Sequence, residues 1–550
     1  MVWWLLACRD PGDPPPGTTP PTGTTPPPTG TTPPPTGTTP PPTGTTPPTV
    51  ACPEGSGPQL ESTIGCLVGA VAPSGREQFL GVPYAEPPVG ALRFASTVPK
   101  APMADPFEAT AYGSSCLQFS ESFFQPTKVG DGSEDCLTLN VFRPPGARDL
   151  PLLVFVHGGG YLTGSNASDY LQDPALAEQA VVVTVNYRLG AMGFLAHPAL
   201  SAEDLDGVSG NYGLQDLLVA LTWVRDNAEA LGGDPDRTLL FGESAGGLQT
   251  CSARASPRAG GLCDAAIIQS APCGSLAKPL RDPPLLVVGG EEQGEEFVTA
   301  LGCEADTAAC LRALPAEVIV EVGQSDVLST AATWNWQPWI DGVWMPAVPV
   351  SEAFVAGDWN QVPVTATANA DEGTLFTFGL APTQDVLDTL ITTYAFALGV
   401  DAEVLSAEYT AARYGSTDLA YAALFGDAVF LCPTVWQQEV LAAQVPARGG
   451  HWVYAGEDLL GLGAFHGSEM PYVMGTMLEL ADPEQVAMSD RLRGAWRSTV
   501  EPEPAVDGLG PWPTVDAGWV VHDLAASTVA EAPRAAQCAV LEDSRANPYR

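Results

Sequence analysis

Short, unbroken apolar runs recur through the chain. Leu152-Leu-Val-Phe-Val156, Ala180-Val-Val-Val-Thr-Val-Asn186, Thr238-Leu-Leu-Phe241 and Ala265-Ala-Ile-Ile-Gln-Ser270 are each long enough for one strand and show no polar alternation. That is the pattern of strands buried on both faces, and therefore of a parallel sheet. Between them, Gly213 to Arg225 places Leu214, Leu217, Leu218, Leu221 and Val224 on one side of a helix that stops at Gly232-Gly233. Another apolar run, Val362 to Ala368, lies in the second half. The alternation predicts an α/β fold with a large, mostly parallel central sheet and helices on both faces.

The pattern is absent from residues 9–50, which are almost entirely Pro, Thr and Gly. Thr-Gly-Thr-Thr recurs there at 22–25, 29–32, 36–39 and 43–46. Such a segment has no apolar positions to bury and predicts an extended, polyproline-like spacer. Before it, Leu5-Leu6-Ala7-Cys8 resembles a bacterial lipobox, whose Cys carries the lipid, although Met1 to Ala7 holds no basic residue. The organisation read from the sequence is a lipoprotein-type signal remnant at 1–8, a linker at 9–50 and one large globular domain at 51–550.

Composition narrows the partners. A formal net charge of −41 repels nucleic acid and anionic lipid surfaces, so neither is an expected partner. No run of about 18 apolar residues occurs, so no membrane-spanning helix is expected. Twelve Cys, several in pairs at short separation, point to an oxidising compartment outside the cytoplasm, at a cell surface or outer membrane or in secretion.

The chemistry gathers around Gly242-Glu243-Ser244-Ala245-Gly246, which follows an apolar strand and opens a helix. This is the G-x-S-x-G elbow, in which a sharp turn lifts a serine hydroxyl off the sheet edge and the helix N-terminus faces the developing oxyanion. A serine needs a base and an orienting acid. Of the five histidines, His157 precedes Gly158-Gly159-Gly160 after a strand, the loop type whose N–H groups complete an oxyanion hole. His197 falls in a loop, His451 at a strand start and His522 near the C-terminus. His466, in Gly461-Leu-Gly-Ala-Phe-His-Gly467, is the candidate base. Asn369-Ala-Asp-Glu-Gly373 offers the acid, with Asp371 and Glu372 equally placed.

The chain resembles the type-B carboxylesterase family, which includes cholinesterases. The resemblance rests on Phe79-Leu-Gly-Val-Pro-Tyr-Ala-Glu-Pro-Pro-Val-Gly-Ala-Leu-Arg-Phe94, Ser133-Glu-Asp-Cys-Leu-Thr-Leu-Asn-Val141, Val185-Asn-Tyr-Arg-Leu-Gly-Ala-Met-Gly-Phe194, Gly210-Asn-Tyr-Gly-Leu-Gln-Asp216, Gly232-Gly-Asp-Pro235, the serine elbow and His466-Gly-Ser-Glu-Met-Pro-Tyr472. It covers roughly residues 60–540. It implies an α/β-hydrolase fold, a Ser244–His466–Glu372 triad, and oxyanion donors on Gly159, Gly160 and Ala245. It implies hydrolysis of small-molecule carboxylic esters through an acyl-enzyme, with no metal or cofactor. Two alternatives carry the same fold: a surface binding module of weak activity, and an amide or carbamate hydrolase.

The resemblance also implies disulfides Cys116–Cys136, Cys303–Cys310 and Cys432–Cys538, and ion pairs Arg93–Glu134 and Arg188–Asp216. Closeness in sequence further pairs Cys52 with Cys66 and Cys251 with Cys263, leaving Cys273 over. The first disulfide loop has Phe119, Phe123 and Phe124 but no Trp, unlike cholinesterases, which counts against choline esters, although Glu243 beside the serine is shared. Trp334 and Trp336 fall near the family's acyl pocket, where their bulk favours short acyl chains; packing in the core is the competing expectation.

Overall fold

The computed structural model describes residues 52, 55, 57–118, 132–274, 278–281, 287–323, 334–456, 461–476 and 482–542. Cys8, the 9–50 linker and Phe119, Phe123 and Phe124 lie outside the described residues. The main sheet comprises β1 (Ala70–Val71), β2 (Glu77–Pro83), β3 (Thr138–Arg143), β4 (Leu150–Val156), β5 (Val181–Val185), β6 (Gly233–Glu243), β7 (Ala265–Gln269), β8 (Val364–Asn369), β9 (Ala447–Trp452), β10 (Trp519–His522) and β11 (Ser527–Ala530). Their spatial order is β11-β10-β9-β8-β7-β6-β4-β5-β3-β2-β1. From β10 to β5 every neighbour is parallel, and the antiparallel pairs lie at the two ends.

Successive residues of the predicted strands enter opposite cores. Leu152, Val154 and Val156 of β4 pack into one cluster with Val181, Val183 and Leu240, while Leu153 and Phe155 join Val182, Leu239 and Phe241 in the other. Apolar residues at every position are the consequence of covering both faces of a sheet. The helices used below are α1 (Tyr212–Asp226), α2 (Ala245–Ala255), α3 (Gly290–Leu301), α4 (Glu372–Thr377) and α5 (Thr417–Ala442). On α1, Leu214, Leu217, Leu218, Leu221 and Val224 are all buried. A short turn, Ala228–Leu231, extends it to Gly232, whose φ of 84° ends the helical path.

By length and composition α5 could cross a membrane, with a mean hydropathy of 1.5, which counting continuous apolar runs does not reveal. In the fold 89% of that apolar window is buried, so α5 is a core helix. A π-helical stretch, Asp427–Leu431, interrupts it. His451 also differs from expectation: β9 begins at Ala447, level with Val364, which puts His451 near its C-terminal end.

Among the described residues there are five disulfides: Cys52–Cys66, Cys116–Cys136, Cys251–Cys273, Cys303–Cys310 and Cys432–Cys538. They fit an extracellular or secreted protein. The pairing of Cys251 corrects the expectation, because Cys263 is the free thiol. The reason is the direction of β7. Cys263 precedes this five-residue strand and Cys273 follows it, so they lie at least about 17 Å apart along the chain. Helix α2 runs beside β7, and Cys251 comes within 5.4 Å, Cα to Cα, of Cys273. Both ion pairs form: Arg93 grips Glu134 with two hydrogen bonds of 2.6 Å, and Arg188 holds the fully buried Asp216 at 2.8 and 2.9 Å.

Candidate active site

The C-terminal ends of β4, β6 and β8 meet at the middle of the sheet, the usual place for a site in a parallel fold. Strand β6 ends at Glu243 and α2 begins at Ala245, leaving Ser244 alone at the turn with φ 54° and ψ −124°. Such a backbone costs a non-glycine residue about 1–3 kcal/mol. The surroundings enforce it. Ser244 N–H donates to Gln269 O at 2.9 Å, and Leu248 N–H returns to Ser244 O at 3.0 Å. The glycines on either side are required by contact: a Cβ on Gly242 would stand 2.3 Å from Gly246 O, and one on Gly246 would stand 2.0 Å from Val156 O.

The loop after β4 lies against this turn. A Cβ on Gly158 would be 3.0 Å from the Cβ of Ser244 and 2.7 Å from the Glu243 carboxylate. Gly159 has φ 106°, and its carbonyl accepts the N–H groups of Leu162 and Thr163 at 3.0 Å each. Among the described residues no protein acceptor takes the N–H of Gly159, Gly160 or Ala245. His157 holds this loop from below. Its ring stacks on Tyr187 at 4.7 Å, and Tyr187 Oη donates to the His157 carbonyl at 3.0 Å. Burial pushes the imidazole down to about 4, so it stays neutral.

His466 and Glu372 come together across two loops. His466 Nδ1 lies 2.6 Å from Glu372 Oε2, and Glu372 Oε1 accepts the N–H of Asn369 at 2.7 Å. The two acidic residues that the sequence leaves equal are thereby separated: Glu372 meets the histidine, whereas Asp371 Oδ2 accepts the N–H of Ala464 at 2.9 Å. His466 Nε2 faces the elbow, 3.2 Å from Glu243 Oε1. Both atoms are buried without a hydrogen bond. Phe376 and Phe430 enclose the imidazole at 4.9 and 4.6 Å, the latter carried on the π-helical stretch of α5.

Three buried carboxylates surround this histidine. Burial opposes its charge, but Glu243 and Glu372 outweigh that and hold His466 well above the usual imidazole range, at about 9. Burial in turn raises Glu243 and Glu469 above the ordinary carboxylate range. Glu469 Oε2 accepts from Asn369 at 2.7 Å and its Oε1 from Gln269 at 2.9 Å. Sequence reasoning gave no role to Glu469, Asn369, Phe376 or Phe430. Glu469 stands inside a quoted motif, but Phe430 left no local signal.

Trp334 and Trp336 are both buried. Both rings pack edge-on against Phe297 of α3, at 5.1 and 5.0 Å, and their indole N–H groups donate to Val322 O and Gly323 O. This is the packing of core residues.

Residues 56–540 match the model of the carboxylesterase family. The chain is 36% identical to a fumonisin B1 esterase of Sphingopyxis macrogoltabida over 428 residues, 76% of this chain and 74% of that protein. It is 31% identical to para-nitrobenzyl esterase of Bacillus subtilis over 431 residues, 76% of this chain and 83% of the relative. A solved structure of a PNB esterase superposes with a TM-score of 0.74 at 28% identity, covering 88% of this chain and all of that one. The chain therefore belongs to the carboxylesterase family, as a carboxylic ester hydrolase of the α/β-hydrolase fold.

Proposed function

We propose that the chain hydrolyses carboxylic esters through an acyl-enzyme, with Ser244 as nucleophile, His466 as base and acid, and Glu372 as the orienting carboxylate. The observation that carries this reading is His466 itself, fixed at Nδ1 by Glu372 at 2.6 Å while its buried Nε2 faces the strained serine turn. In the first step Nε2 takes the Ser244 proton as Oγ attacks the ester carbonyl carbon. The oxyanion accepts hydrogen bonds from Gly159, Gly160 and Ala245, of which each contributes about 3 kcal/mol in comparable sites. His466 then protonates the leaving alcohol, and water repeats the sequence on the acyl-enzyme. Glu372 keeps the proton on Nδ1 and stabilises the imidazolium.

The substrates we propose are esters of short-to-medium acyl chains or aryl alcohols, because Phe376 and Phe430 crowd the side of His466 with apolar, shape-limiting surface. We further propose that Cys8 carries a lipid and that residues 9–50 space the 51–550 domain from a membrane. The test is turnover of p-nitrophenyl esters from acetate to decanoate by residues 51–550 beside Ser244→Ala. Activity on the shorter esters that disappears in the variant supports the reading. A folded wild-type protein with no activity overturns it.

A further inference from the structure

The loop that carries His466 has little stiffness of its own. Gly461, Gly463 and Gly467 all sit in the left-handed region, at φ 71°, 69° and 81°, where glycine moves freely. Yet His466 must stand within a fraction of an ångström of its working position. Something outside the loop has to fix it.

Among the described residues, four hydrogen bonds tie it to the segment that holds Glu372. Asp371 N–H donates to Ala464 O at 3.0 Å, and Ala464 N–H donates back to Asp371 Oδ2 at 2.9 Å. Thr374 Oγ1 donates to Leu462 O at 2.6 Å, and Asn369 Nδ2 donates to Phe465 O at 2.7 Å. The contact is shaped as well as bonded: a Cβ at Gly463 would lie 2.3 Å from Asp371 Oδ2. The carboxylate thus occupies the space that a side chain at 463 would need. Of the two bonds that residue 371 makes to the loop, only the one from Ala464 N–H depends on its side chain, because the other is backbone.

We propose that Asp371 is a positioning residue for ester hydrolysis, clamping the His466 loop to the Glu372 turn so that the imidazole and its carboxylate partner keep one geometry. The inference rests on the triad reading above. The two neighbouring acids thereby divide the work, Glu372 touching the imidazole and Asp371 the backbone that carries it.

The experiment compares Asp371→Ala, Asp371→Asn and Glu372→Gln in the full-length protein. For each it measures kcat and KM on p-nitrophenyl butyrate, the pH profile, and the downfield proton resonance of the His466–Glu372 hydrogen bond. Asp371→Ala should lower kcat by about 100-fold, the cost of an ångström-scale misplacement, with KM little changed. Its downfield resonance should weaken, and the acid limb should move to lower pH as His466 loses Glu372. Asp371→Asn keeps an acceptor for Ala464 N–H and should recover most of the loss. An Asp371→Ala enzyme with wild-type kcat and an intact resonance overturns the clamp, as does an Asn variant as slow as the Ala one with the resonance unchanged. Glu372→Gln separates the two claims: if it is fully active the triad reading fails, and if it is inactive that reading stands whatever Asp371 does. Should Asp371→Ala fail to fold, Thr374→Val removes another of the four bonds, and the same loss of resonance and kcat is expected; wild-type values there overturn the proposal.

Discussion

Glu243 Oε1 lies 3.2 Å from His466 Nε2 and Glu372 Oε2 lies 2.6 Å from Nδ1, so the imidazole stands between two carboxylates and not one. Glu372 holds the ring at Nδ1 and is itself held by the Asn369 N–H. On the proposed mechanism, Glu243 competes for the proton that His466 would accept from Ser244. Burial holds the Glu243 carboxyl above the ordinary carboxylate range, towards that of His466. Proton sharing between Glu243 and His466 should therefore set the working pH of the site.

Replacing Glu243 with Gln should show this directly. Only neutral His466 can act as base, and the Glu243 charge favours the imidazolium, so removing it lowers the histidine's pKa. The acid limb of kcat/KM should move to lower pH. A limb that stays in place, or moves up, contradicts the assignment. Stability follows with its own sign. A histidine raised from 6.5 to about 9 on folding contributes stability that is complete below pH 6.5 and is lost as pH rises through 9. Glu243, also raised, acts in the same direction. Wild-type urea midpoints should fall between pH 6.5 and 9, and fall less in Glu243→Gln.

The serine turn makes a steric prediction. Gly246→Ala drives a methyl to 2.0 Å from Val156 O, and neither backbone can retreat because β4 is paired on both sides. Overpacking of this kind costs about 1–3 kcal/mol or more, and it distorts the N–H groups beside Ser244. Activity should be lost together with stability in denaturant titrations. Gly260→Ala is the control: its added Cβ meets only Asn360 Oδ1, at 3.5 Å, so a change within about 0.5 kcal/mol is expected.

The corrected disulfide is open to peptide mapping. Alkylation of unfolded, unreduced protein should label Cys263 and leave Cys251 linked to Cys273. In the native state the label should be slow, because burial pushes the Cys263 thiol up to about 11 and leaves little thiolate. Recovery of a Cys251–Cys263 peptide contradicts the fold around α2. Replacing both Cys251 and Cys273 with Ala should cost about 2–4 kcal/mol, as for a loop of this length.

These cases show where sequence carries structural information and where it stops. Strands such as Leu152–Val156 announce themselves because covering both faces demands apolar residues at every position, and Gly242 and Gly246 announce the elbow because backbone contact permits nothing larger. Asp371 and Glu372 could not be separated from the residues alone. The turn into α4 decides which carboxylate reaches His466, and that turn is set by bonds to a loop about 90 residues away. Family resemblance, not spacing, picked Glu372. The partner of Cys251 was hidden for a similar reason, since strand direction overrides nearness in the chain. Phe430 reaches His466 through a π-helical stretch inside a helix that reads as ordinary core.

Trp334 and Trp336 mark the same boundary and lead to a test of chain-length preference. Their position in the chain pointed to the acyl pocket, but both rings lie against Phe297 and both indole N–H groups are bonded to backbone carbonyls. Trp336→Ala should therefore behave as a core truncation, costing about 3–5 kcal/mol. It should leave the ratio of decanoate to butyrate hydrolysis unchanged. Phe376 is the contrasting case, only partly buried and 4.9 Å from the His466 ring. Phe376→Ala clears space beside the imidazole and should raise that ratio at a smaller cost in stability. If Trp336→Ala changes the ratio and Phe376→Ala does not, the indoles shape the acyl site after all and the assignment to core packing is wrong.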